Sequence, residues 1–117
     1  MANDFKNGIK VDVGTNVVDV YTVPATKASI LIEVDVANKH TSAIAAGVKI
    51  YDSATGGSPA TATAWLVKDA PIPVGGTLQA IAGQKIVLEA GDKVQVISSV
   101  ANSADVVCSI LEDVNTP

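Results

Sequence analysis

The sequence predicts an all-β protein, a single-domain β-sandwich or jelly-roll-like unit over residues 1–117 with about eight short antiparallel strands. Three observations carry that reading. Alternating apolar and polar runs recur roughly every 10–12 residues, with Gly, Pro, Asn and Asp between them. The apolar content rests on 18 Val, 10 Ile and 5 Leu, and β-branched side chains suit a pleated, half-buried surface better than a helix. No stretch sustains a period of 3.6 residues.

In chain order, residues 1–8 (MANDFKNG) are polar and read as a short arm. Ile9–Val13 and Val17–Val23 are short strands around the turn Gly14-Thr15-Asn16, and Pro24, which has no N–H for a ladder, ends the second. Ser29–Val36 alternates, with Ile30, Ile32, Val34 and Val36 on one face and Glu33 and Asp35 on the other. After the turn Asn38–Ser42, the residues Ile44, Ala46, Val48 and Ile50 repeat the period of two. Lys49 and Tyr51 lie opposite them, and Gly47 on that outer face marks a bulge or a close approach. Asp52–Thr61 (DSATGGSPAT) is a surface loop expected to be the most mobile part.

The segment from Trp65 to Ser99 is the most informative one. It opens with the apolar run Trp65-Leu66-Val67, breaks at Pro71 and Pro73, and passes Gly75-Gly76. Gln84–Glu89 and Lys93–Ser98 then alternate around Ala90-Gly91-Asp92, a hairpin pattern in which the Asp92 side chain caps the turn. Ala101–Ala104 is a further turn. Asp105–Glu112 is the final strand, apolar on both faces and so expected to be covered on both, before a polar tail over residues 113–117.

Charge and composition exclude several function classes. The net charge is −4, with eight Lys and no Arg, and Arg is the preferred residue for phosphate and base-edge contacts. Nucleic-acid binding is therefore not expected. Cys108 is the one cysteine; it sits in the apolar run Val106–Leu111 and reads as a buried structural thiol, compatible with a reducing compartment. The first residues lack the apolar core of a signal peptide, and the longest uncharged windows, Ser53–Val67 and Ala70–Gln84, contain Pro and Gly and are too short for a bilayer span. Neither standard secretion nor membrane insertion is expected.

Catalytic and metal chemistry is poorly supplied. His40 is the sole histidine and lies in a turn, so triads and Cys–His dyads all depend on it. One Cys and one His are too few for zinc. Asp12, Asp19, Glu33 and Asp35 fall on strands without calcium-loop spacing and read as solvated charge. Gly56-Gly57 and Gly75-Gly76 lack the Lys and the helix start of a phosphate cradle. The expectation is no enzyme, no cofactor and no metal.

Several groups, taken in order, resemble a family of small β-structured virion proteins of tailed bacteriophages, especially those of marine and cyanobacterial hosts. They are Val20-Tyr21-Thr22-Val23-Pro24, Leu66–Pro73, Gly75-Gly76-Thr77-Leu78, Gln84–Val94 and the strand Asp105–Glu112. The resemblance covers most of Val17–Glu112 and leaves Asp52–Thr61 unmatched. It implies a structural protein in the virion, made in the host cytoplasm. The first expectation is a capsid decoration (cement) protein on the head surface that self-associates, with a trimer expected, and binds the major capsid protein. The alternatives it leaves are a neck, tail or fibre subunit, or a receptor- or glycan-binding module of the tail. Interfaces anchor on large side chains, so Trp65, Tyr21, Tyr51 and Phe5 are the candidate interface residues, although the run around Trp65 reads first as core.

Overall fold

The computed structural model describes residues 3–53 and 62–114, and the expected 52–61 loop therefore lies outside the described residues from position 54 onward. All eight elements are strands: β1 (Asn3–Val13), β2 (Val18–Thr22), β3 (Lys27–Asn38), β4 (Ile44–Asp52), β5 (Ala62–Ile72), β6 (Thr77–Leu88), β7 (Lys93–Ser98) and β8 (Ala104–Val114). They form two four-stranded antiparallel sheets, β1-β8-β3-β6 and β2-β7-β4-β5.

The pairing has a simple rule. β4 pairs with β5, β3 with β6, β2 with β7 and β1 with β8, so the chain is one long double-stranded ribbon. The ribbon is rolled until β8 meets β3 and β7 meets β4, which closes each sheet. That is the jelly roll. Among the described strands, only β4 and β5 are neighbours both in sequence and in a sheet.

The rule corrects the hairpin expected at Ala90-Gly91-Asp92. β6 and β7 belong to different sheets, and the turn between them is a corner. Its backbone pairs with the end of β2: Gly91 N donates to Val23 O at 3.0 Å and Val23 N to Asp92 O at 2.9 Å. Asp92 does cap the turn, since Oδ2 accepts from Glu89 N at 2.9 Å. Alternation on two adjacent runs looks the same whether they face each other in one sheet or across a sandwich.

Three further differences have local causes. The expected arm is paired with β8 from Asn3 onward, and β8 itself continues to Val114, past the start of the expected tail. Gly8 sits where this strand crosses the other sheet; an added Cβ would lie 2.8 Å from both Cys108 Sγ and Val20 O. β5 runs through Pro71, where a break was expected, because β5 is an edge strand and the missing N–H can face outward. On β3 a register shift between Leu31 and Glu33 moves the inner face to Ser29, Leu31, Val34 and Val36. Ile30 and Ile32 consequently leave the core positions that simple alternation assigns them.

The core lies between the sheets. Leu31, Val34, Val48, Leu88, Val94, Val106, Cys108 and Ile110 are fully buried there, with Ile44, Ala46, Ile72 and Val96 around them. β4 keeps its expected inner face, and Gly47 lies on the outer side beneath the Trp65 ring. Asn38 ties the loops of one end together, donating from Nδ2 to the carbonyls of Ser42, Ile72 and Pro73 at 3.0–3.1 Å.

The other end is closed by a charge. Glu112 is buried on the inner face of β8, where the Tyr21 hydroxyl of the opposite sheet donates to Oε2 at 2.6 Å. Lys27 and Lys6 approach Oε1 at 3.0 and 3.3 Å, and Ser29 Oγ lies 2.8 Å from the Tyr21 hydroxyl. The Tyr21 bond and then the two lysines hold the Glu112 carboxyl below its usual range, and burial followed by the Glu112 bond raises the Tyr21 phenol.

Glu112→Gln strands two ammonium groups and should lower stability by about 3 kcal/mol, with Tyr21→Phe costing about 1–2 kcal/mol, both read by urea denaturation. At Gly47 an added Cβ would lie 2.6 Å from the Trp65 ring. Gly47→Ala should therefore displace the indole and red-shift its fluorescence emission while the circular dichroism of the sheets is retained.

Candidate interaction surface

The two outer faces of the sandwich differ in chemistry. On the β1-β8-β3-β6 sheet the register sets Phe5, Leu111, Ile30 and Val87 in one row across all four strands. A second row runs Ile9, Val107, Asp35, Gln79. Phe5 is 81% exposed, Val87 72%, Ile9 59%, Val11 56% and Val107 44%. Five of the eight large apolar residues exposed in the described structure thus share this face. β8 was expected to be covered on both sides; this chain covers the inner one.

Val11 follows Ile9 on the outer face by alternation, and a bulge then ends that phase. The register shifts between Lys10 and Val13, Asp12 adopts φ 57°, and Val13 turns into the core. Asp12 N donates to Asp105 Oδ1 at 3.1 Å, and Lys39 Nζ bridges Asp12 and Asp105. This exposed trio closes the rim of the face.

Within the apolar rows lies a pair of carboxylates. Glu33 and Asp35 follow one another on the outer side of β3, and Asp35 Oδ1 is sealed from solvent with no hydrogen-bond partner. Desolvation, followed by the hydrogen bond and the repulsion from Glu33, raises the Asp35 carboxyl to about 6.

The outer face of the β2-β7-β4-β5 sheet is aromatic and basic. Trp65 stands opposite Lys49 across the β4–β5 pair, 40% exposed, rather than in the core. Lys49 Nζ lies 5.0 Å and Lys68 Nζ 5.6 Å from the ring centroid, within cation–π range. Lys93 lies 5.6 Å from the Tyr51 ring and pairs with Asp19 at 3.2 Å. Gln95 donates to the other Asp19 oxygen at 2.8 Å, and these bonds hold the Asp19 carboxyl below its usual range.

Of the four candidate interface residues, Phe5 is on the first face, Trp65 and Tyr51 are on the second, and Tyr21 points between the sheets to Glu112. The sequence reading missed the Phe5–Val87 row, because those residues come from the first and sixth strands and only the register joins them. Cys108 is buried as expected, and burial pushes its thiol up. His40 is half-buried in the β3–β4 loop, its N–H donating to Asn38 Oδ1 at 2.7 Å.

Asp52, Glu89 and Asp92 form a group that the spacing did not reveal, with a carboxylate oxygen of each within 4.8 Å of the others. Both Asp92 oxygens already serve the corner: Oδ1 accepts from Ser53 N at 3.0 Å and Ser53 Oγ at 3.2 Å, and Oδ2 from Glu89 N. The arrangement clamps the end of β4 to the β6–β7 turn.

The raised Asp35 carboxyl has a definite consequence for stability. Between its ordinary value of 3.8 and about 6 the folded chain binds a proton that the unfolded chain releases, so stability rises as pH falls through that window. Asp35→Asn removes the cost of the charged form. It should raise the melting temperature at about pH 7.5, and the gain should shrink toward zero by about pH 4.

No family model and no curated protein sequence matches the chain. Solved structures do. A chain of the T13 infectious bursal disease virus particle superposes with a TM-score of 0.57 at 12% identity, over 94% of this chain and 30% of that one. The Gx strain of the same virus gives 0.54 at 12% identity, over 93% and 32%. Its VP2 subviral particle gives 0.51 at 13% identity, over 93% and 32%. This chain spans about a third of the length of those neighbours, and at such identities the likeness is one of fold alone, a β-sandwich shared with chains of those virus-particle structures.

Proposed function

We propose that the protein is a virion structural protein of a tailed bacteriophage, a capsid decoration (cement) protein that stabilises the head by self-association and by binding the major capsid protein. The observation that carries this reading is the uncovered apolar face built around β8. A face rich in exposed Val, Ile and Phe marks a contact surface. Solved neighbours of the fold come from virus particles, and the ordered motifs from Val20 to Glu112 resemble small phage virion proteins.

The role is non-catalytic. The buried Cys108 and the loop residue His40 serve as structure, and the carboxylate clusters serve as corner and rim clamps. A decoration protein acts by mass action: it binds the assembled shell and not the separated subunits, and so shifts the equilibrium toward the shell. Its working parts are then the two outer faces, with Phe5 as the anchor of one and Trp65 and Tyr51 as the anchors of the other.

The test is a cryo-electron microscopy map of the phage particle with a mass-spectrometric copy count. Density for this fold on the head surface, in hundreds of copies, is the expected result. A few to a few dozen copies at the neck or tail would replace the decoration role with a neck, tail or fibre subunit. Absence from purified particles would overturn the virion assignment.

A further inference from the structure

We propose that the protein associates with itself head to tail, the Lys49–Trp65–Lys68 group of one copy docking on the apolar, acid-centred face of the next. This deepens the self-association in the proposed function, but it is a property of the isolated chain and stands or falls without the particle.

The argument begins with what each face lacks. The β1-β8-β3-β6 face has apolar area to cover and, within it, two carboxylates. One of their oxygens, Asp35 Oδ1, is sealed from water without a donor. A buried acceptor left without a partner is costly, and a cation lying over the partly exposed Glu33–Asp35 pair would lower the cost of its charge without bonding to the sealed oxygen itself. The opposite outer face supplies the complement. Trp65 is a large, partly exposed ring beside two lysines, whereas the ion pairs of the described residues engage Lys6, Lys27, Lys39 and Lys93. The Lys49 and Lys68 amines lean on the indole instead.

Size and spacing agree. Glu33 and Asp35, two residues apart on one strand face, stand close enough for their carboxyl groups to share a hydrogen bond. Two amines beside one indole can address such a pair while the ring covers neighbouring Val and Ile side chains. Four strands about 4.8 Å apart and nine residues at about 3.4 Å make a face of roughly 20 by 30 Å. That area, on the order of 600 Å², approaches the roughly 800 Å² per partner of a standard stable contact.

Charge selects the geometry. Placing the acidic face against its own copy would bring Glu33 and Asp35 toward the same carboxylates across a twofold axis, and like charges held that way are repelled. Acidic face on basic face is heterologous. Such a contact repeats from copy to copy and closes into a ring when the rotation allows. Trp is also among the residues that most often dominate binding energy.

Sedimentation velocity and native mass spectrometry of the purified full chain test the proposal, with circular dichroism as the fold control. The wild type is expected to associate across the micromolar range. Lys49→Glu and Glu33→Lys should each weaken association by about tenfold or more. Glu33→Lys removes both the hydrogen bond and the repulsion that Glu33 gives Asp35 and sets a cation beside it, and circular dichroism with thermal unfolding checks that the monomer keeps its fold. Both changes in one chain should restore association to within about threefold of wild type, because the swapped charges meet again. Trp65→Ala should abolish it.

A wild type that stays monomeric overturns the proposal. So does an oligomer indifferent to Lys49→Glu, which would mean that the basic face is not used, or a double variant no better than the singles. If association behaves as stated while the particle lacks the protein, the virion role fails and the contact stands.

Discussion

The structure depends on β8 lying between β1 and β3. The final strand of the fold is the bridge on which the first strand hangs, with Asn3 opposite Asp113 and Lys27 opposite Val114. Among the described strands only β4 and β5 pair as neighbours in the chain, so the β1-β8-β3-β6 sheet waits for its last member. Loop-closure entropy must be met before these pairings stabilise anything, which places the protein among slow-folding β topologies. It also explains why Glu112 carries so many partners. At the end of β8 it joins Lys6 of β1, Lys27 of β3 and Tyr21 of the opposite sheet, whose hydroxyl in turn meets Ser29 of β3. A carboxylate buried there specifies the register of four strands at once. An apolar residue would leave a slipped pairing less costly.

Much of this was legible in the residues, and the limits of legibility are physical. Strand existence followed from alternation, so β2, β4, β7 and β8 lie near their expected places. Gly47 marks a bulge or a close approach in sequence, and the structure has both: the β4–β5 register shifts between Ala46 and Val48, and the Trp65 ring lies upon the glycine. What alternation does not encode is the partner. Lys93–Ser98 reads equally well as the second arm of a hairpin or as a strand in another sheet, and only the roll decides. Bulges are similarly silent: nothing in LIEV announces that the register shifts after Leu31 and turns Ile30 outward. Pro71 misled for the opposite reason, since its cost depends on whether the strand is central or at an edge.

The candidate surface was legible only in part. β8 was seen to be apolar on both sides, and Glu33 and Asp35 were seen to point away from the core. The join between these facts needed the register. Phe5, an arm residue in sequence, becomes the end of a row reaching Val87. The acidic pair, read as solvated charge, proves to include an oxygen that water does not reach. An exposed valine alone is ordinary. Five large apolar side chains around two crowded carboxylates are not.

That crowding bears on how the fold and its assembly are related. In the isolated chain the Asp35 carboxyl is held at about 6, so near neutrality its charged form is maintained at the expense of stability. A monomer gains nothing from keeping two carboxylates side by side on an apolar sheet, and neutral residues would pack there at less cost. The pair becomes favourable only when cations from outside the chain lie over it, which lowers the energy of the charged form and adds to binding by the same amount. In the head-to-tail contact proposed above, the feature that weakens the single copy would strengthen the association. On that proposal, part of the stability of the fold would be supplied by the copy that covers this surface.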